Sequence, residues 1–473
     1  MLSWDEILCD TRIRPSSVNN TGSRIVRNQF EADYDRIVGS SSVRRLQDKA
    51  QVYPLQENDF TRTRLTHSIE VSALARSLGK GVGEWLVKEK PDVFNLEMVD
   101  KLAAILQTAG LVHDLGNPPF GHYGESVIRE WFERNFYSLD AKFGVYLDKP
   151  ELKETLRDYR YFDGNVQNFR ILTKLQMMND QYGANFTYGT LSSIIKYPWS
   201  SSLCNREKSK YGYFVSEADL YNKIRVKIGL KENQRNPITY LLEAADDIIY
   251  ILDDIEDGVK KGYIDWNREY ENIKDKCNNG KKKHIFDKID ALRSKHNLDL
   301  EKNKDDGVVR SFRNYSQSYL FEVALGNFID NYDAIMTGTF EGELLDREND
   351  FIKEIKKVTR DYCYNCHEVL ALEAMSHIVL SKLLDIFIGT FLAADRKELA
   401  DTRTYTGKIY RLISPNYRYI SRFNYETNEE SLVDIEKISD ESLIRLSVDF
   451  IVGMTDSYAM KMYKELTGIK LPS

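Results

Sequence analysis

The sequence predicts a mostly α-helical protein: a helical core with additional helices and one short β-hairpin. Two long segments, 65–86 and 99–114, place apolar residues at three- and four-residue steps, which is the period of an amphipathic helix. Three later segments of similar length share this pattern: 237–262, 316–332 and 377–394. The hairpin is expected within 333–346, where β-favouring residues lie beside glycines.

The composition favours a soluble protein without a general affinity for nucleic acid. The 473 residues include 66 basic and 73 acidic ones, so the net charge is −7 and an anionic ligand has to be met by a local basic pocket. No run approaches the ~20 apolar residues of a membrane span, and residues 1–10 are too acidic for a signal peptide. Five cysteines, an odd number, suit a reducing compartment. These observations predict a cytoplasmic protein with no membrane association.

One short stretch concentrates residues that can carry chemistry. The sequence GLVHDLGNPPFGHYGE, residues 110–125, contains His113, Asp114, His122 and Glu125, and the whole chain has only seven histidines. Its prolines and glycines predict that the preceding helix ends here and that the chain turns sharply. Polar side chains can converge at such a turn.

Other segments supply further candidates for a metal site. His67 lies near the start of a predicted helix, and Asp246, Tyr250 and Asp254 follow at four-residue steps, so they share one face of another helix. Two imidazoles and two carboxylates suit Mn²⁺, Mg²⁺, Fe²⁺, Co²⁺ or Ni²⁺ better than a structural zinc ion. The alternative is a chance set of core histidines and helix-end carboxylates.

Three phrases in this order, RTRLTH, HDLGNPPFGHYGE and EAADD, resemble the HD phosphohydrolase superfamily and, within it, the deoxyguanosine triphosphate triphosphohydrolases. Further matching phrases are FEADYDRIV, RRLQDKAQVYPL, FDGNVQNFRIL and TYGTLSSIIKYP, and none is matched beyond Gly262. The resemblance implies an HD-domain core with N-terminal nucleotide-pocket segments over 1–262. The charged segment 263–310 is expected to be an exposed insertion, and 311–473 a helical region packing on the core.

The resemblance also implies the reaction and the residues that perform it. It implies four ligands to one divalent metal, Mn²⁺ or Mg²⁺ with Fe²⁺, Co²⁺ and Ni²⁺ as alternatives: His67, His113, Asp114 and Asp246. Water attacks the α-phosphorus, and the products are a deoxynucleoside and inorganic triphosphate. His122 works on the water or on the leaving oxygen, and Glu125 orients it.

Eight residues are expected to contact the substrate: Gln51, Arg64, Asn165, Lys196, Tyr197, Lys210, Tyr250 and Asp254. The resemblance implies that Tyr250 packs under the deoxyribose and resists a 2'-hydroxyl, and that Asp254 accepts from the 3'-hydroxyl. Arg64 and Lys196 would meet the triphosphate. Guanine preference rests on the subfamily resemblance alone, because amide side chains pair with several bases, so a broad deoxynucleotide triphosphohydrolase is the alternative.

Other functions and partners stay open. The sequence matches the C-x-x-C-H pattern of a c-type haem electron carrier at Cys363, Cys366 and His367. The alternative explanation of this pattern is two small buried residues and an incidental histidine on a helix. A catalytically inactive HD protein that binds nucleic acid is a second alternative. The resemblance further implies a homo-oligomer, a hexamer in some relatives, and leaves a single-stranded DNA effector open.

Overall fold

The structure, a computed structural model, describes residues 2–14, 27–53, 61–176, 181–205, 208–296, 304–345, 349–423 and 431–471. The described residues form the following α-helices: α1 Trp4–Ile7, α2 Gln29–Val38, α3 Ser41–Arg45, α4 Arg64–Glu89, α5 Leu96–Val112, α6 Gly121–Phe132, α7 Pro150–Arg160, α8 Gly164–Arg170, α9 Tyr188–Ser193, α10 Ala218–Lys227, α11 Pro237–Lys260, α12 Trp266–Cys277, α13 Lys283–His296, α14 Lys304–Asp330, α15 Tyr332–Thr337, α16 Asp350–Tyr362, α17 His367–Ala393, α18 Tyr405–Leu412, α19 Pro415–Ser421, α20 Asp440–Val452 and α21 Asp456–Leu466.

The mostly α-helical prediction is confirmed, and the five segments with helical periodicity lie largely within α4, α5, α11, α14 and α17. The hairpin prediction is wrong over the described residues 333–345. Tyr332–Thr337 is a helix that ends at Gly338, whose φ of 78° terminates it, and the following residues form no strand. β structure in the described part of the chain is limited to isolated bridges.

Two hydrophobic clusters, here called the first and second cores, organise the chain. In the first core, α4, α5 and α11 pack together along their apolar faces, as Val71, Ile105 and Ile248 illustrate, each with 0% exposure. Gly110 allows α5 to approach α4 closely, because a Cβ at this position would lie 2.7 Å from the Ser72 Cα. The predicted site residues His67, His113 and Asp246 therefore lie on or next to helices that pack against one another.

The second core joins the middle of the chain to its C-terminal helices. Trp131 and Phe132 of α6 and Leu156 of α7 pack with Leu384 of α17 and Ile451 of α20. Residues from both sides of the predicted boundary at 262 thus share one core. The boundaries at 262 and 310 stay predictions.

The described residues of the segment 263–310 include buried side chains, which differs from the exposed insertion that its charge suggested. Trp266 and Tyr270 of α12 and Phe286 and Ile289 of α13 are at most 2% exposed and belong to the first core. Their apolar side chains lie on one helix face, whereas the lysines and acids cover the others, so the charge of the segment concealed an amphipathic pattern.

By length and composition, one described helix, α17, could span a membrane, a case that the sequence analysis did not anticipate. However, 56% of its most apolar window is buried inside the protein, where it packs against α6 and α20. This makes α17 weak evidence for a membrane segment, because core helices have the same length and composition.

Candidate active site

The start of α4 brings a histidine and an arginine to the same side. Thr63 caps the helix, because its side chain accepts from the Thr66 N–H while the Thr66 side chain accepts from the Thr63 N–H. Arg64 is the first helical residue and His67 lies three positions on, so both point to one face. They are 2% and 0% exposed, respectively.

His113 follows directly on α5, which ends at Val112 as the glycines and prolines predicted. Its Nδ1 lies 2.7 Å from the Gly110 carbonyl oxygen, which can only accept a hydrogen bond. Nδ1 therefore carries the proton, and Nε2 presents its lone pair. Nε2 is buried and has no hydrogen-bond partner among the described residues.

These two imidazoles meet one carboxylate of α11. Asp246 Oδ1 lies 3.2 Å from His67 Nε2 and 3.3 Å from His113 Nε2, and all three ligand atoms fall within 4.8 Å of one another. The neighbouring Asp247 is not part of this group. The helix N-terminus is well defined, because Asn236 caps it and Pro237 occupies its first position.

This group fits a divalent cation, because a lone pair of His113 faces a carboxylate oxygen with no donor between them. In the absence of an ion, a proton on His67 can take this place. Burial lowers the pKa of His67, but the neighbouring carboxylates Asp246 and Asp253 outweigh it and raise the pKa to about 9. Burial would raise the pKa of Asp246, yet Lys196 and the hydrogen bond from His67 hold it well below its usual range.

Asp114 lies beside the group rather than inside it. Its Oδ2 accepts from Arg64 Nη1 at 2.5 Å and its Oδ1 accepts from Asn117 Nδ2 at 2.6 Å. The shorter of its approaches to His113 Nε2 is 3.6 Å, from Oδ1. Its role as a fourth ligand stays a prediction, because binding a metal requires one of these oxygens to exchange its partner.

A left-handed turn leads from this group to His122. Phe120 and Gly121 have φ values of 64° and 63°, and α6 begins at Gly121. The positive φ favours glycine at position 121, and a Cβ there would lie 2.6 Å from Arg64 Nη2, so the guanidinium would have to shift. The turn leaves the His122 side chain 79% exposed, where it lines a cavity.

The buried carboxylate of Glu125 orients the His122 ring. This carboxylate accepts from the Gly164 N–H at 2.8 Å through Oε1, and its Oε2 lies 3.3 Å from His122 Nδ1. The Glu125 carboxylate raises the pKa of His122. Burial raises the pKa of Glu125, but His122 and the Gly164 N–H outweigh this and lower it. The pair is an imidazole that tends to keep its proton and an anchored carboxylate.

The cavity has a volume of about 580 Å³, within the roughly 300–1,000 Å³ of small-molecule sites. Twelve of the fourteen predicted site residues line it, and the other two, His67 and Glu125, lie buried behind it. The twelve are Gln51, Arg64, His113, Asp114, His122, Asn165, Lys196, Tyr197, Lys210, Asp246, Tyr250 and Asp254.

Two lysines and an aromatic ring lie on the side of the cavity near Asp246. Lys196 Nζ donates to Asp246 Oδ2 at 3.0 Å. Lys210 Nζ lies 5.5 Å from the centroid of the Tyr197 ring, close enough for a cation–π contact. Burial lowers the pKa of Lys196, but Asp246 and Glu243 outweigh it and raise the pKa above its usual range, so the ammonium stays charged.

The sugar-binding candidates lie further along α11. Tyr250 is half-buried, and Asp254 is 4% exposed. Tyr364 donates its hydroxyl hydrogen to Asp254 Oδ2, a contact that the sequence analysis missed. Burial raises the pKa of Asp254 to about 7, although the Tyr364 hydrogen bond opposes this shift.

The wall formed by α17 was also missed, because no motif was matched in this region. Its cavity-facing residues are Val369, Leu372, Glu373 and Ser376. Their spacing of three, one and three residues marks one helix face, which is the signal that the sequence offered. That pattern alone does not distinguish a cavity wall from an ordinary core face.

The C-x-x-C-H pattern has a structural explanation. Cys363 is 0% exposed, and a Cβ on Gly258 would lie 2.6 Å from its sulfur. Covalent haem attachment needs both thiols at the porphyrin edge, and the close packing around Cys363 leaves no room for one. The structure therefore argues against the haem electron carrier.

Comparisons with known proteins agree with this site. The HD domain model matches residues 64–156, which include α4 to α6. A deoxyguanosinetriphosphate triphosphohydrolase-like protein of Listeria innocua is 38% identical, with coverage of 99% of this chain and 100% of the relative. A protein of the same name from Pseudomonas aeruginosa is 32% identical with 100% coverage of both chains. The deoxyguanosinetriphosphate triphosphohydrolase of Serratia proteamaculans is 31% identical, covering 93% of this chain and 94% of its own.

The similarity extends over essentially the whole chain and includes the helices that carry the histidine and aspartate group. It supports a hydrolase that acts on a deoxynucleotide and has a site for a divalent metal. The chain belongs to the deoxyguanosinetriphosphate triphosphohydrolase family of HD-domain phosphohydrolases.

Proposed function

We propose that the protein hydrolyses dGTP to deoxyguanosine and inorganic triphosphate, with a soluble, cytoplasmic location. The observation that carries this proposal is that one cavity is lined both by His113 and Asp246 of the group with His67 and by His122 of the pair with Glu125. Phosphoryl transfer needs charge neutralisation and a positioned proton donor or acceptor, and these two groups supply them.

His67, His113, Asp246 and, after exchange of a partner, Asp114 would hold one divalent metal, Mn²⁺ or Mg²⁺. When bound, such an ion lowers the pKa of a coordinated water and polarises a phosphoryl oxygen. His113 is already held in the required tautomer by the Gly110 carbonyl, so its free nitrogen needs no reorganisation.

The chain's own cations would neutralise the triphosphate. Arg64 Nε is buried without a hydrogen-bond partner among the described residues, although Nη1 binds Asp114. Lys196 and Lys210 line the same cavity and present ammonium groups. A guanidinium suits two phosphate oxygens at once, whereas the ammonium groups act as point charges.

His122 would donate its proton to the leaving 5'-oxygen. The alkoxide of a sugar is a poor leaving group, so a proton supplied in the transition state accelerates the cleavage. Glu125 keeps His122 protonated and fixes the ring, because its second oxygen is anchored on the Gly164 N–H. The exposed His122 ring can then contact a substrate while Glu125 keeps its position.

Tyr250 and Asp254 lie about 6 Å and 12 Å beyond Asp246 along α11, at about 1.5 Å per residue. These distances are long enough for this face of α11 to extend from the α-phosphate beyond the deoxyribose of a bound nucleotide. We assign Tyr250 to exclusion of a 2'-hydroxyl and Asp254 to the 3'-hydroxyl. Tyr364 binds one oxygen of Asp254, and the carboxylate retains a second oxygen for the sugar.

The experiment is product analysis on dGTP, dATP, dCTP, dTTP and GTP with Mn²⁺ or Mg²⁺, with His113→Ala as the control for contaminating phosphatases. We expect triphosphate and deoxyguanosine from dGTP in the wild type and neither in the control. Pyrophosphate as the product would refute cleavage at the 5'-oxygen. Equal rates on all four deoxynucleotides would instead establish the broad deoxynucleotide triphosphohydrolase. That outcome is compatible with the same site, because the residues assigned near the metal would contact the triphosphate and the sugar rather than the base.

A further inference from the structure

A turn near the C-terminus contacts both backbone segments that border the cavity. Asp456, the first residue of α21, is 2% exposed and accepts two main-chain hydrogen bonds. Its Oδ1 accepts from the Phe120 N–H at 2.8 Å, and its Oδ2 accepts from the Ala50 N–H at 2.9 Å. One carboxylate therefore joins the turn before His122 to the residue before Gln51.

The same region is braced by a buried lysine. Lys49 is 3% exposed, and its Nζ donates to the carbonyl oxygens of Asn117 and Val452. The Lys49 carbonyl oxygen accepts from the Arg64 N–H at 3.0 Å, which connects the segment to the start of α4. The turn at Asp456, the 49–50 segment and the turn 117–120 thus form one hydrogen-bonded unit.

The Phe120 hydrogen bond falls at a strained position. Phe120 is a non-glycine residue at a φ of 64°, a region that side chains other than glycine rarely adopt. It occupies the position before α6, and its side chain makes no capping hydrogen bond there. Such a conformation persists only when surrounding contacts enforce it, and Asp456 provides a buried one.

We propose that Asp456 is a positioning residue of the active site. It holds Phe120 so that His122 faces the metal group, and it holds Ala50 so that Gln51 faces the substrate. The C-terminal helices thereby complete the catalytic geometry rather than only packing on it. The kinetic part of this inference rests on the proposed function.

A role limited to the stability of α21 does not account for these contacts. The cap of α21 is Thr455, whose side chain accepts from the Tyr458 N–H. An acidic first turn stabilises any helix through its dipole, and Asp440 of α20 has the same position. Asp440 instead binds Lys149 and Arg396, which do not line the cavity. Asp440→Asn is therefore a matched control.

The experiment compares Asp456→Asn and Asp456→Glu with Asp440→Asn in the full-length protein. Asparagine replaces one acceptor oxygen by a donor, so it must lose one of the two main-chain contacts. Hydrogen exchange followed by mass spectrometry reports the Phe120 and Ala50 amides without any need for turnover. We expect faster exchange at either amide in Asp456→Asn, a smaller change in Asp456→Glu and wild-type exchange at both in Asp440→Asn.

The second readout is the rate on dGTP at equal metal content. We expect Asp456→Asn to lower kcat by about 10²-fold, the usual cost of a misplacement near 1 Å. In a His122→Ala background the same substitution should cost only a few-fold in kcat, because we expect the contact through Phe120 and His122 to act on kcat and the contact through Ala50 and Gln51 to act on KM. A purely structural role would lower the melting temperature and leave kcat per folded, metal-loaded site unchanged.

The inference is overturned if both amides exchange as in the wild type, or if the two substitutions act additively on kcat. An inactive wild type would refute the proposed function, and the exchange measurement would still decide whether Asp456 holds the loop. If Asp456→Asn does not fold, Asp456→Glu keeps both acceptor oxygens, and the same two comparisons are made with it.

Discussion

The substitution Glu125→Gln tests the acid role of His122 with little change of shape. The amide oxygen can still accept from the Gly164 N–H, so the turn keeps its anchor, but the negative charge beside His122 is lost. Glu125 Oε2 lies 3.3 Å from His122 Nδ1, and although the carboxylate is buried, the 79% exposure of the His122 side chain lets water screen the pair. With the dielectric constant of water, Coulomb's law gives a lower bound of about 1 kcal/mol for the favourable interaction that the substitution removes.

The sign follows from the direction of the shift. Glu125 raises the pKa of His122, and a proton donor is active only when protonated. The wild-type kcat/KM for dGTP therefore falls as the pH rises through this pKa. In Glu125→Gln the fall should move to lower pH, with the metal content unchanged.

The assay is a pH profile of kcat/KM with a metal-saturated protein, accompanied by Glu130→Gln as the control. Glu130 lies on the same helix and its carboxylate is 3.6 Å from His377 Nε2, outside the cavity. We expect the control profile to match the wild type. A Glu125→Gln profile that keeps the wild-type alkaline limb would refute the idea that this carboxylate sets the proton affinity of the catalytic imidazole.

Four further substitutions separate metal binding, proton transfer and sugar choice. His113→Ala or Asp246→Ala should remove both bound metal, measured by elemental analysis, and activity, because each deletes a ligand; full retention of both would contradict the ligand assignment. His122→Ala should keep the metal and lose about 10²- to 10⁴-fold in rate, the usual contribution of a positioned acid, whereas loss of metal would make His122 a ligand. Tyr250→Ala should narrow the preference for dGTP over GTP, measured as a ratio of kcat/KM values, because dGTP loses the packing of its sugar against the ring. An unchanged ratio would mean that another part of the cavity selects the sugar.

The sequence was most informative where chemistry and helical period coincide. His113 could be placed at a helix end from the local sequence, whereas the choice of Asp246 as its partner came from the family resemblance, and the structure brings the two side chains together. The partners of Asp114 could not be predicted, because Arg64 and Asn117 reach it only through the packing of α4 on α5 and the turn after it.

Long-range contacts account for the remaining differences. Tyr364 is separated from Asp254 by more than a hundred residues, and nothing in its local sequence marks it as a hydrogen-bond donor to the site. The burial of Phe286 depends on a helix partner that composition does not reveal, so the charge of its segment was misleading. The helical periodicity of a sequence identifies which face of a helix is buried, but it does not identify the element that packs against that face.

The origin of the two functional groups in different cores has a mechanistic consequence. His67, His113 and Asp246 come from helices of the first core, whereas His122 and Glu125 lie on α6, which is packed in the second. Metal affinity should therefore depend on the first core alone, while the rate depends on how the two cores are held together. This separation predicts that a change at a connecting contact lowers kcat without releasing the metal, so metal content and turnover are best measured together in every variant.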